Sequence, residues 1–123
     1  MNILFIEYPK CSTCKKAKSW LIENKIEIMD RNIVEEVPNY DELKKWIELS
    51  GKPINKFFNT SGILYRQMEI SKKLLNMTDD EKIKLLSSNG MLIKRPILVL
   101  DKNVLIGFKE KEWQEEFLIE KDR

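Results

Sequence analysis

The feature that most constrains this chain is a change of hydrophobic period across Pro9. Residues 2–8 are apolar and β-prone, which suits a buried strand. Beyond Cys11 the period changes: Ala17, Trp20, Leu21 and Asn24 share one helical face, while Lys15, Lys16, Lys18 and Glu23 take the other. Residues 26–32 then alternate Ile26, Ile28 and Asp30 against Glu27, Met29 and Arg31, the pattern of a second strand. Strand, helix and strand within about 30 residues form a βαβ unit, so the two strands are expected to be parallel with a right-handed crossover.

The middle of the chain is helical. Asn39 with Glu42 and Thr78 with Glu81 each form a capping box, and Gly51 with Pro53 ends the first of the two helices. Leu43, Trp46 and Ile47 line one of these helices, and Ile83, Leu85 and Leu86 line the other. Thr60-Ser61-Gly62 between them reads as a loop. Strand character returns at residues 97–100 and 104–106, joined by the turn Asp101-Lys102-Asn103 as an antiparallel hairpin. Trp113 and Phe117 mark a closing helix from about Lys109. The expected α/β fold is therefore β-α-β, a helical insertion at about 38–90, then β-β-α, with a mixed four-stranded sheet. At 123 residues, 1–123 reads as a single domain.

Composition removes most other chemistries. Without histidine there is no Ser-His-Asp triad, Cys-His dyad or imidazole base, and two cysteines cannot close a four-thiolate zinc site. Four glycines leave no nucleotide-binding glycine fingerprint. With 22 Lys+Arg against 20 Asp+Glu, the net charge of +2 does not call for direct nucleic-acid binding. The N-terminal apolar run is too short for a signal peptide, and none is long enough for a membrane span, so the expected location is cytoplasmic. Catalysis would rest on thiols, carboxylates, lysines or arginines.

The thiols stand out. Cys11-Ser12-Thr13-Cys14 lies where the first strand hands over to the first helix. Free N–H groups and the positive end of the macrodipole favour a thiolate there. Lys10, Lys15 and Lys16 add positive charge, so Cys11 is expected to be the low-pKa nucleophile and Cys14, one turn on, the resolving thiol. The same pair could instead be half of a metal site shared between subunits, or two packed side chains without chemistry. A disulfide closing so short a loop would add little stability, which argues against a structural staple. Lys94-Arg95-Pro96 precedes a strand, with Pro96 at its start, where a missing donor is tolerated, and Arg95 is a candidate for oxyanion recognition. Arg66 is a second candidate for oxyanion recognition. For either arginine, a solvated surface cation is the competing reading.

These residues resemble the arsenate reductase/Spx superfamily of thioredoxin-fold proteins, most closely its short arsenate reductase-like branch. The blocks that carry the resemblance are Tyr8-Pro9-Lys10-Cys11-Ser12-Thr13-Cys14, Phe57-Phe58-Asn59-Thr60-Ser61-Gly62 with Tyr65-Arg66, Gly90 to Ile97, and Ile106-Gly107-Phe108. The resemblance implies a thioredoxin-like fold with a helical insertion and a cis proline at Pro96. It also implies attack by Cys11 on an oxyanion or disulfide, anion contacts from Arg66 and Arg95, no bound cofactor, and reduction by a glutathione/glutaredoxin or thioredoxin system. The family's further arginine on the last strand falls here at Gly107 or Phe108, and the glutaredoxin-linked enzymes usually lack a cysteine at the position of Cys14. Spx regulators share the CxxC as a redox switch and bind the RNA polymerase alpha subunit rather than DNA. The resemblance places Gly51 near a glycine used in that contact, although a helix C-terminus also explains it.

Overall fold

The computed structural model describes residues 2–117. Strand β1 (Leu4–Glu7) leads into helix α1 (Ser12–Glu23) and then β2 (Met29–Asn32). Helices α2 (Tyr40–Ser50), α3 (Ile63–Gln67), α4 (Ile70–Lys73) and α5 (Asp79–Ser88) follow, with short 3-10 turns between them. Strands β3 (Ile97–Val99) and β4 (Val104–Ile106) and helix α6 (Glu110–Glu116) complete the order. The sheet order is β2-β1-β3-β4; β1 and β2 are parallel, and β3 is antiparallel to both β1 and β4. This is the mixed four-stranded α/β sheet expected from the sequence.

Alternation along β1 divides the interior. Phe5 packs with Ala17, Leu21 and Leu98 and with Trp113 of α6, while Ile6 packs with Ile33, Leu43, Phe57, Leu86 and Ile97 on the opposite face. Helices α1 and α6 thus cover one side of the sheet and the inserted helices the other. On the α1 side, Trp113 meets Phe108 and Trp20 edge-on, with centroids 4.8 and 6.0 Å apart, which fixes α6 against α1. Both capping boxes form, and α2 ends at Gly51 in the left-handed conformation, φ +67°.

Two strands are shorter than the alternation suggested. β2 spans residues 29–32 rather than 26–32, because Ile26 and Ile28 turn inward onto the α1-side core and pairing begins only where the Met29 N–H reaches the Ile3 carbonyl, at 2.8 Å. As an edge strand, β2 has no second neighbour to extend it. β3 stops at Val99, and Leu100 already belongs to the hairpin turn, its N–H donating to the Asn103 carbonyl at 2.9 Å. Pro96 lies just before β3 and follows a cis peptide bond from Arg95.

Gly90 marks where the insertion returns to the sheet. A Cβ there would lie 2.1 Å from the Ile33 carbonyl oxygen, and this backbone contact cannot relax by a side-chain rotation. Gly90→Ala is expected to lose ~3 kcal/mol or more in urea unfolding. Gly51→Ala, with no atom near the new methyl but a positive φ, should lose only about 1 kcal/mol.

Candidate functional site

The site begins as a turn. After Pro9 the chain reverses tightly enough for the Cys11 N–H to donate to the Tyr8 carbonyl at 2.9 Å, which aims the next turn of backbone at the end of β1. Cys11 is the N-cap of α1: its backbone is extended (φ −85°, ψ 122°) and its Sγ accepts the Cys14 N–H at 3.4 Å. A sulfur therefore occupies the place usually held by a Ser or Asp oxygen, facing the unpaired donors of the helix. Both cysteines are free thiols; Cys11 is half-buried and Cys14 is fully enclosed.

Their acidities are driven apart. Burial alone would raise the Cys11 thiol, but the Cys14 N–H, the Cys14 thiol and the charge of the Arg95 guanidinium together outweigh it and hold Cys11 below the usual cysteine value. Burial pushes Cys14 up to about 12, and the neighbouring Cys11 reinforces the effect. The two sulfurs thus differ in acidity, and Cys14 stays protonated over the range in which Cys11 ionises.

Arg95 is the cation that the fold supplies. It sits immediately before Pro96, its guanidinium lies 5.0 Å from the centre of the Tyr8 ring, and its buried Nη1 has no hydrogen-bond partner. A cavity of about 450 Å³ opens beside it, lined by Asn59, Ser61, Ile63, Gln67 and Met91. Lys10 and Lys15, expected to polarise Cys11, instead project into solvent, where their fields are screened, and the groups that lower Cys11 belong to Cys14 and Arg95. Arg66 is exposed on α3 and donates to the Ser61 carbonyl at 3.1 Å, so the contact it makes is with the loop rather than with the thiol pair.

A further group, Glu7, went unnoticed in the sequence. This carboxylate ends the apolar run Leu4-Phe5-Ile6 and is only 5% exposed. It shares Lys18 of α1 with Asp30 of β2, with Nζ 3.4 Å from the Glu7 Oε2 and 2.6 Å from Asp30. Burial, reinforced by the Asp30 carboxylate, raises Glu7 to about 7. Asp30 stays low despite its own partial burial, because Glu7 and Lys18 both bond to its charged form. The signal that could have identified Glu7 was a lone acid at a position whose strand neighbours are all core residues.

The model of the ArsC family matches residues 6–116, which takes in the end of β1, the thiol pair, the insertion and all of α6. The chain belongs to the ArsC family. A crystal structure of an ArsC-family-related protein from Bacteroides fragilis is 55% identical, with a TM-score of 0.91 over 94% of this chain and 97% of that one. "Uncharacterized protein YusI" of Bacillus subtilis is 48% identical over 115 residues, 94% of this chain and 98% of its own length. "Global transcriptional regulator Spx 2" of Bacillus anthracis is 31% identical over 102 residues, 83% of this chain and 76% of its own length. The family's thioredoxin-like architecture is the one described above. Among the described residues, no helix is long and apolar enough to cross a membrane.

Glu7 gives this ArsC-family chain a pH signature. Unfolded, it ionises near ~4.3; folded, near 7. Between those values the unfolded chain releases the proton first, so stability falls as pH rises through the window and levels off above it. Asp30, shifted in the other direction, titrates below this range. Glu7→Gln is expected to remove on the order of 2 kcal/mol of that decline, read from urea midpoints between pH 4.5 and 8.

Proposed function

We propose that this protein is a thiol-disulfide oxidoreductase in which Cys11 attacks and Cys14 resolves. The observation that carries this reading is the opposite displacement of two adjacent thiols, Cys11 below and Cys14 above the ordinary cysteine value, at the start of α1. The Cys11 thiolate attacks one sulfur of a substrate disulfide, forming a mixed disulfide and expelling the other half as a thiolate. Cys14 then gives its proton to solvent or to the departing thiolate and attacks Cys11 Sγ. This closes the Cys11–Cys14 disulfide and releases the second thiol. The substrate gains two electrons, which a glutathione/glutaredoxin or thioredoxin system returns to the protein. The same thiolate can attack the central atom of a small oxyanion seated against Arg95, forming a sulfur adduct as one oxygen leaves as hydroxide and takes a proton from solvent. The unpartnered Arg95 Nη1 is a donor available to the remaining oxygens. The chemistry calls for no bound cofactor.

The likeness to Spx 2 favours a second reading, a redox-responsive regulator that binds the RNA polymerase alpha subunit. Gly51, the residue to which that contact would map, has its own structural reason in the left-handed end of α2. Co-elution with the polymerase alpha subunit that changes with oxidant and is lost on altering Gly51 would support this regulator.

For the enzyme reading, purified protein is supplied with hydroxyethyl disulfide and a glutathione- or thioredoxin-based reducing system. Steady turnover is expected, and Cys11→Ser should abolish it. Cys14→Ser should accumulate a mixed disulfide on Cys11, visible by intact-protein mass spectrometry. No turnover and no adduct on Cys11 would overturn the reading.

A further inference from the structure

Lysines gather beside the segment that carries Arg95. A groove of about 450 Å³ runs between the segment after α2, Phe58 and the end of β4, and its lining includes Lys52, Lys56, Lys94 and Lys109 but no carboxylate. In a chain with 22 basic and 20 acidic side chains, this is a strong local excess. Lys52 is paired with Glu112 at 3.1 Å, whereas among the described residues no ion pair engages Lys56, Lys94 or Lys109. Such a concave surface holds a positive potential that is not cancelled locally.

Two chain segments link the groove to the Arg95 side of the site. Lys94 lines it while the next residue, Arg95, acts on Cys11, and the Lys94 N–H is tied to the Phe57 carbonyl at 2.7 Å. Thr60 lines it while Ser61 lines the cavity beside Arg95. Its floor includes Ile106, on the outer strand of the sheet. Hydrogen bonds from Gly107 N–H to Pro96 and from Leu100 N–H to Asn103 fix the paired positions of the β3–β4 ladder, so the N–H and C=O of Ile106 point away from β3, while its side chain is buried and forms an apolar part of the floor. Lysines spread along a groove with an apolar floor suit several carboxylates carried on one polypeptide better than a single compact anion.

We propose that the substrates of this protein are cysteines carried on acidic polypeptide segments, with the Lys56–Lys94–Lys109 groove seating the flanking carboxylates while the cysteine's sulfur meets Cys11. This rests on the thiol-exchange reading above and specifies its substrate class. In the test reaction the oxidant is an aryl disulfide: the Cys11 thiolate attacks the peptide sulfur, the peptide–aryl S–S bond breaks, and thionitrobenzoate leaves with the electron pair. Cys14 then displaces the peptide thiol and forms the Cys11–Cys14 disulfide.

Three ten-residue peptides are prepared, each with one cysteine disulfide-linked to thionitrobenzoate and flanked by glutamates, serines or lysines. Release is followed at 412 nm in stopped flow. At low ionic strength the glutamate peptide should react about tenfold faster than the lysine peptide, and the advantage should shrink to within about twofold in 0.5 M NaCl. The double variant Lys56→Glu/Lys109→Glu should abolish or invert the preference, while its rate with the serine peptide stays within about twofold of the parent. Equal rates for the three peptides, or a preference that survives the double variant, would overturn the groove alone. Release from none of them would remove the thiol-exchange reading and this inference with it.

Discussion

The structure turns on a contact between a sulfur and a backbone amide. Because Cys11 Sγ accepts the Cys14 N–H, the first residue of the thiol pair is both the end of a turn and the cap of α1. That single role fixes three things. It orients α1 so that Cys14, Ala17 and Leu21 enter the core beneath β1, and it presents Cys11 to the donors that favour its anion. It also separates the two sulfurs by exposure, and burial then separates them by acidity. The apolar packing of Phe5 against α1 and of Ile6 against the insertion keeps β1 rigid, so the sulfur is held against a firm base.

Arg95 completes the arrangement from the other end of the chain. β3 pairs antiparallel with β1, and this pairing brings the segment before β3 alongside the start of α1. Just after β4, Gly107 has a positive φ of +68°, and a Cβ there would lie 3.2 Å from the end of the Lys94 side chain. A lysine from the segment before β3 thus reaches that corner. A flexible ammonium is a point charge rather than a bidentate fork.

Much of this was legible in the sequence, for identifiable reasons. The switch of period at Pro9, the two capping boxes and the hairpin at Asp101-Lys102-Asn103 are local signals, and each produced its element. The thiol pair was also visible, because its chemistry depends on residues adjacent in sequence. Where the reading missed, the cause was non-local. Lys10 and Lys15 are neighbours in sequence but not in field, whereas Arg95 reaches the sulfur only through sheet pairing. Arg66 and Arg95 looked equivalent as letters; α3 directs the first to Ser61 and β3 brings the second to Cys11. Glu7 was hidden because a single acid at a strand end normally turns to water, and only the packed sheet shows it enclosed with Asp30 and Lys18. The overlong β2 reflects alternation continuing through Ile26 and Ile28, residues that pack inward before any strand partner is available.

The central claim is that α1 and Arg95 hold the Cys11 thiol below the ordinary cysteine value, and thiolate absorbance at 240 nm followed against pH tests it most directly. The account predicts one step below the ordinary cysteine value, no second step until strongly alkaline pH, and an upward move of the first step in Arg95→Met. Two thiols titrating together at the ordinary value, or a first step indifferent to Arg95, would contradict it.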